Sequence, residues 1–486
     1  MTRATEIRAD KPSLLVVAAH CLIFASFNLF YLLYNLLDLD AESLIYPTSC
    51  LFVILTIWTY WSWYLLTKSL FNPYLLFFLS AVLFNGGQAL LEAFNMNPDG
   101  ILDGALTSST IVKTLFFVIL GLSSFHLGGL ISAVPGKVIG VADKPHEDLE
   151  TIRQDTYKVG WAFFSISFLP SLIVIQQAIS IVLSGGYFSL YQQDDATSFG
   201  AAPQILSEFL VPAALFILAG SKKILKSQLI SASVILVYVA TRFFLGQRNQ
   251  AMMPLVAFAW LWNKMIYPIP KALLFGVGAF LGFIVLPLVG VTRNSAGQER
   301  LSADSVSESL SSIDNPVVAA ISEMGGSMGT VAYTLELVPK TKGYNLGADY
   351  FYALLTLMPN LFWKIHPTIE RGTCGKWLTW QIRPSFAARG GSLGFSFIAE
   401  AYLNFGWIGG LMALGVLGFL VGKLTLWAMR SENPARVAMV ASFVSFFMFY
   451  ARSDSISQVR SLVWYSQIPY ASVRLLSRLR TKKSIE

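Results

Sequence analysis

Charge is scarce in this chain: Asp, Glu, Lys and Arg together make up 13% of its 486 residues, while 55% are apolar. A water-soluble domain carries about a quarter charged residues, so a soluble globular protein is excluded. Cysteine is scarcer still, with three in all: Cys21 and Cys50 lie in or beside apolar runs, and Cys374 stands alone in a polar section. Neither a disulfide framework nor a cysteine-based metal centre can be built from them. The four histidines include His20 and His126 inside apolar runs, and no tight Asp/Glu/His cluster accompanies the others, so no metal or cofactor is expected. Also missing is the strict apolar and polar alternation of a membrane barrel, as well as any internal repeat. The first apolar run has no small-x-small cleavage site behind it and is expected to stay as a span.

What the chain does have is membrane-length apolar runs. They lie near 13–36, 45–66, 73–92, 108–133, 158–184, 203–220, 226–245, 251–267, 271–291, 406–429, 437–451 and 461–473. A helix needs about 20 apolar residues to cross the hydrocarbon, which predicts an all-α polytopic membrane protein of about twelve transmembrane helices. Lysine-rich connections (Lys68; Lys137 and Lys144; Lys222 and Lys223; Lys264 and Lys271) alternate with acidic or neutral ones such as "DLDAES" and "YQQDDATSFG". By the positive-inside rule, both the N- and the C-terminus are then cytoplasmic. The net charge of +7 is accounted for by inner-loop cations facing anionic headgroups, and no nucleic-acid partner is called for.

One polar section is too long for a connector. Residues 292–395 are expected to form a large, partly helical outer loop, dividing the chain into 1–291 (nine spans), 292–395 (loop) and 396–486 (three spans and a basic tail). The outer face in this topology collects arginine where the inner face collects lysine: Arg242, Arg248, Arg293, Arg300, Arg371, Arg383, Arg389, Arg452 and Arg460. Arginine's planar fork suits phosphate and carboxylate, so an anionic ligand is expected on that side.

Three stretches carry a family resemblance: "LGQRNQAMMPLVAF" between two runs, "AAISEMGGSMGTVAYTLELVP" in the long section, and "ARGGSLGFSFIAEAYLNFGWIGG" leading into a late run. Together they resemble the O-antigen polysaccharide polymerase Wzy family. The resemblance implies a glycosyltransferase of the bacterial inner membrane with its active site facing the periplasm. Such an enzyme moves a growing glycan from undecaprenyl diphosphate onto the next lipid-linked repeat unit, with membrane lipids, a chain-length regulator and a repeat-unit flippase as candidate partners. An O-antigen ligase shares that donor, and a lipid-linked oligosaccharide flippase is the rival from another class. A flippase is expected to show repeat symmetry, which is missing here.

Displacement at an anomeric carbon needs a base at the acceptor and charge stabilisation of the departing diphosphate. For the diphosphate, Arg248 is the first candidate, because Gly246 can end one helix and Gln247 to Gln250 open the next. Arg293, Arg389 in "AARGGS" and Arg452 follow; Arg242 and Arg460 are expected to be ordinary interfacial anchors. For the base, the candidates are Glu323 and Glu400, carboxylates in otherwise apolar text, and His366 in "KIHPTI". Each has a bland alternative: the glutamates pair with outer arginines, and His366 serves the loop's structure. Asp194 and Asp195 read as a solvated loop tip or a contact to sugar hydroxyls ahead of a cation or acid/base site, and most of Tyr187, Tyr191, Trp363, Trp377 and Trp380 as headgroup anchors, with stacking on sugar rings the alternative.

Overall fold

The computed structural model describes residues 11–97, 99–134, 149–191, 202–221, 224–292, 315–360 and 363–483. Among the described residues every regular element is helical and no strand is present. The long helices are α1 (Lys11–Leu36), α2 (Ala41–Thr67), α3 (Pro73–Ala93), α4 (Ser108–Ala133) and α5 (Leu149–Gly185). A broken pair follows, α6 (Ala202–Ser207) and α7 (Leu210–Gly220), then α8 (Leu225–Phe244) and α9 (Arg248–Met265). Next, α10 (Lys271–Phe280) runs through one π turn into α11 (Leu286–Thr292).

Six short helices occupy the described part of the long polar section: α12 (Pro316–Gly325), α13 (Met328–Leu337), α14 (Ala348–Leu355), α15 (Pro367–Arg371), α16 (Cys374–Ile382) and α17 (Pro384–Ala387). Three long helices close the chain, α18 (Phe397–Met429), α19 (Pro434–Phe447) and α20 (Ser455–Lys483).

Ten helices among the described residues are long and apolar enough to cross a membrane. The two runs near 251–267 and 461–473, counted as spans from the sequence, are helical but fall short of that measure. α9 contains Arg248, Asn249, Gln250, Asn263 and Lys264 within 18 residues, and α20 places Arg460, Arg474, Arg478 and Arg480 along its length.

The chain forms two compact units, each assembled from separated stretches. The first comprises Met1–Glu147, Met324–Asp349 and Phe395–Arg430. Its centre is the contact of α4 with α18, made by glycine: a Cβ on Gly128 would lie 1.8 Å from the Gly415 carbonyl oxygen, and one on Gly418 would lie 1.8 Å from that of Phe125. Small residues let two backbones touch where lipid offers no hydrophobic drive between helices. Ser124 adds a hydrogen bond across the seam, its hydroxyl donating to the Leu411 carbonyl at 2.6 Å. His20 and His126 are fully buried and satisfied here. His20 donates to the Ser123 carbonyl at 2.8 Å and accepts from the Trp58 indole at 3.0 Å, while His126 bonds Ser62 and Tyr74.

The second unit comprises Asp148–Glu323, Tyr350–Gly394 and Ser431–Glu486. α5 and α7 are also in backbone contact through glycine, since a Cβ on Gly160 would meet the Ile217 nitrogen at 2.6 Å. Asp155, fully buried on α5, accepts from Ser477 at 2.9 Å and pairs with Arg480 at 3.0 Å, which pins the end of α20 to the start of α5. A buried carboxylate is costly unless paired and hydrogen-bonded, and both conditions are met.

Candidate functional site

The site lies in the second unit and begins with a break that the sequence dictates. Pro212 has no N–H to give the carbonyl four residues back, that of Glu208, and the helix parts there into α6 and α7 with Glu208 in the turn. A second break ends α8. Gly246, at φ +83°, occupies the left-handed position of a Schellman cap: its N–H donates to Phe243 at 3.0 Å, and that of Gln247 donates to Arg242 at 2.9 Å. α9 therefore starts at Arg248, and its first-turn amides have no carbonyl of their own helix to bond. A third break follows α19, where a single 3-10 turn, Met448–Arg452, precedes α20.

Asp454 caps α20 by accepting from the Ser457 amide at 3.1 Å and the Ser457 hydroxyl at 2.6 Å. It also accepts from the Gly375 amide at 3.4 Å, which ties the start of α16 to the start of α20. Burial pushes the Asp454 carboxyl above the ordinary carboxylate range, and the hydrogen bonds from Ser457 and Gly375 oppose that rise.

The three breaks surround a cavity of about 380 Å³. Arg248 enters it from α9, Arg452 from the 3-10 turn and Arg460 from α20. Glu208 is the one carboxylate among its described lining residues. On α20, Ser457, Ser461 and Tyr465 line it at four-residue spacing, so one face of that helix is turned to the cavity. The rest is rich in amides, with Gln204, Gln247, Asn249, Gln250 and Gln458, and in aromatic rings, with Tyr187, Tyr238, Phe446 and Phe449. Amides, hydroxyls and rings beside a cationic cluster suit a ligand that is part anion and part polyol. Among the described residues no three His, Cys, Asp or Glu side chains are grouped as metal ligands would be.

The sequence candidates fall in several places. Arg248 meets Glu323: its Nη1 donates to Oε2 at 2.8 Å, its Nη2 to Oε1, and Nη1 also reaches the Leu286 carbonyl at 3.1 Å. Gly290 leaves room for the pair, since a Cβ there would lie 3.0 Å from the guanidinium. Arg452 lines the same cavity as Arg248. Arg389 is exposed, with Nε donating to the Ser385 carbonyl at 3.2 Å, and is not among the cavity residues. Arg293 lies outside the described residues, as do Arg300, Asp194 and Asp195.

Glu400 is fully buried in the first turn of α18, in the first unit, where the Asn404 amide donates to its carbonyl oxygen at 2.9 Å. His366 is buried too and caps α15. Its Nδ1 accepts from the Thr368 amide at 3.3 Å and Nε2 donates to the Met358 carbonyl at 3.2 Å, so both ring nitrogens are engaged.

One expectation about arginine is corrected. Arg242 is no surface anchor: it is 6% exposed, donates to the Gln247 side chain at 2.6 Å and stacks over the Tyr238 ring at 4.9 Å. Arg460 is exposed, as an anchor would be, and also lines the cavity. Glu208 went unrecognised in the sequence. Its signal was there, an acidic residue inside a membrane-length apolar run four positions before a proline.

Fold and site together define a polytopic membrane protein with an arginine-lined polar cavity. Within that class the comparison with protein families is specific: the model of the O-antigen polysaccharide polymerase Wzy family matches residues 17–484, nearly the whole chain, and the chain belongs to that family. The family polymerises O-antigen repeat units by glycosyl transfer, acting on lipid-linked oligosaccharides in the membrane. Neither the curated proteins nor the solved structures contained a match.

Proposed function

We propose that this protein elongates a surface glycan at the periplasmic face of the bacterial inner membrane, taking the growing chain from undecaprenyl diphosphate and joining it to the next lipid-linked repeat unit. The observation that carries the proposal is the convergence of Arg248, Arg452 and Arg460, from three separate elements, on one cavity. A departing lipid diphosphate develops negative charge on several oxygens, and donors fixed in advance around that position stabilise it most. The first-turn amides and positive dipole end of α9 act in the same direction.

Glu323 holds Arg248 in the geometry that a phosphate would take. Its side chain is 41% exposed, so the carboxylate can leave to solvent. A diphosphate offers the same fork more acceptor oxygens and more negative charge than a single carboxylate, so it competes for Arg248. The amides, hydroxyls and rings elsewhere in the cavity then bind sugar. His366 takes no part in proton transfer in this reading, because both its ring nitrogens are committed to the loop's backbone and Thr368.

The test is reconstitution. Purified protein incubated with an undecaprenyl-diphosphate-linked repeat unit forms a ladder of polymer lengths, and adding a chelator leaves the ladder unchanged. No ladder, or transfer only to a lipid A core acceptor, refutes the polymerase assignment. Loss of the ladder on chelation requires a metal that the proposed mechanism does not contain.

A further inference from the structure

We infer that Glu208 is the proton acceptor of the glycosyl transfer, an assignment that rests on the polymerase reading of the cavity. Glu208 is the one acidic side chain among the described residues lining a cavity that three arginines enter. It stands in the turn between α6 and α7. An ionisable residue in an apolar, membrane-length segment is costly to keep and is retained for use.

The cationic partners come from other elements. Arg460 on α20 lines the cavity together with Glu208, Tyr238 and Tyr465, and Arg242 on α8 lies over the ring of that same Tyr238. Arg242 is fixed by Gln247 and stacked on Tyr238, so the charge balancing the carboxylate is held in place and does not have to be recruited. Of the other carboxylates considered, Glu323 already occupies the fork of Arg248, and Glu400 belongs to the other compact unit.

In the resulting step, the acceptor hydroxyl oxygen forms a bond to the anomeric carbon of the donor glycan while the bond from that carbon to the diphosphate oxygen breaks. The bonding pair leaves on the diphosphate, held by Arg248 and Arg452. The hydroxyl proton passes to the Glu208 carboxylate and is returned to the departing diphosphate or to water, which restores the enzyme. The products are a glycan longer by one repeat unit and free undecaprenyl diphosphate.

The experiment uses the full-length protein in detergent with an undecaprenyl-diphosphate-linked repeat unit. If wild-type protein makes no polymer, the polymerase reading itself fails; if it does, the variants decide the role of Glu208. Glu208→Gln keeps size and hydrogen bonding but cannot take a proton, so turnover should fall at least about a hundredfold, as expected for loss of a general base, with KM for the donor unchanged. Inorganic diphosphate should inhibit the residual activity as it does wild type, since the arginines remain.

Wild-type turnover in Glu208→Gln overturns the assignment. So does a defect confined to KM, which makes Glu208 a positioning partner of Arg242 and Arg460. Should Glu208→Gln fail to accumulate, Glu208→Asp retains the charge on a shorter stem. Reduced turnover at unchanged KM then supports the assignment, and full turnover refutes it.

Discussion

At the scale of single residues, the question is what an arginine at a helix start is for. Arg248 has two readings that predict opposite behaviour in its partner. If the Arg248–Glu323 pair is a structural brace between α9 and α12, removing either member should harm the protein in the same way. If Arg248 serves the diphosphate and Glu323 only holds it meanwhile, the two substitutions part company. Arg248→Lys keeps the charge but loses the fork and, with it, at least one charge-assisted bond of about 1.5–3 kcal/mol, so polymer formation should drop roughly ten- to hundredfold at normal protein level. Glu323→Gln removes the competing anion and should leave donor affinity equal to wild type or better. The exposed Arg383→Lys is the matched control and should be silent. Equal defects in Arg248→Lys and Glu323→Gln would return the pair to a structural role. This much of the site was legible in advance, because Gly246 and the pentad after it mark a helix end and a helix start by local rules alone. Glu208, Arg452 and Arg460 meet only through packing between segments some 240 residues apart, which no local pattern encodes.

At the scale of elements, the sequence announces helices by run length and announces their contacts poorly. The apolar runs became helices because every backbone group must be satisfied within the segment in lipid. Two of them proved too polar by composition, α9 and α20, and these are the helices that bring Arg248 and Arg460 to the cavity. Which helices touch is decided by glycine positions that hydropathy treats as neutral. Gly128 and Gly418 place α4 against α18, whereas Gly276, Gly278 and Gly282 would each meet nothing within 4 Å if given a Cβ. Gly128→Ile must push two backbones apart. Overpacking a well-packed contact costs roughly 1–3 kcal/mol, and more where backbone is struck, so this variant should be depleted from membranes or melt well below wild type in detergent. Gly276→Ile, on open helix surface, should accumulate and melt like wild type. Equal melting of the two variants would show that α4 and α18 do not meet as described.

At the scale of the whole molecule, topology decides whether the cavity faces the donor, and the proposed topology rests on the short lysine-rich connections being cytoplasmic. In the proposed orientation the helices of 315–395 are periplasmic and the turn between α18 and α19 is cytoplasmic. Cys374, the natural reporter for the first claim, cannot serve, because at 4% exposure it is buried against its neighbours. Gly375 is no better, since a Cβ there would lie 2.8 Å from the Gly394 carbonyl oxygen. Lys376, one position on, is exposed, as is Glu432 at the opposite turn. A membrane-impermeant maleimide applied to cells with a permeabilised outer membrane should therefore label Lys376→Cys at once and label Glu432→Cys only after the inner membrane is broken. The reverse pattern would put the cavity in the cytoplasm. An undecaprenyl-linked polymerase needs its site on the side where the repeat units are presented, so a reversed pattern would remove Arg248, Arg452, Arg460 and Glu208 from the reaction together. The native cysteines should not confuse the result: Cys21 and Cys50 lie inside α1 and α2, apolar helices of membrane-spanning length. Labelling of Lys376→Cys from outside would secure the one assumption that every residue-level test above shares.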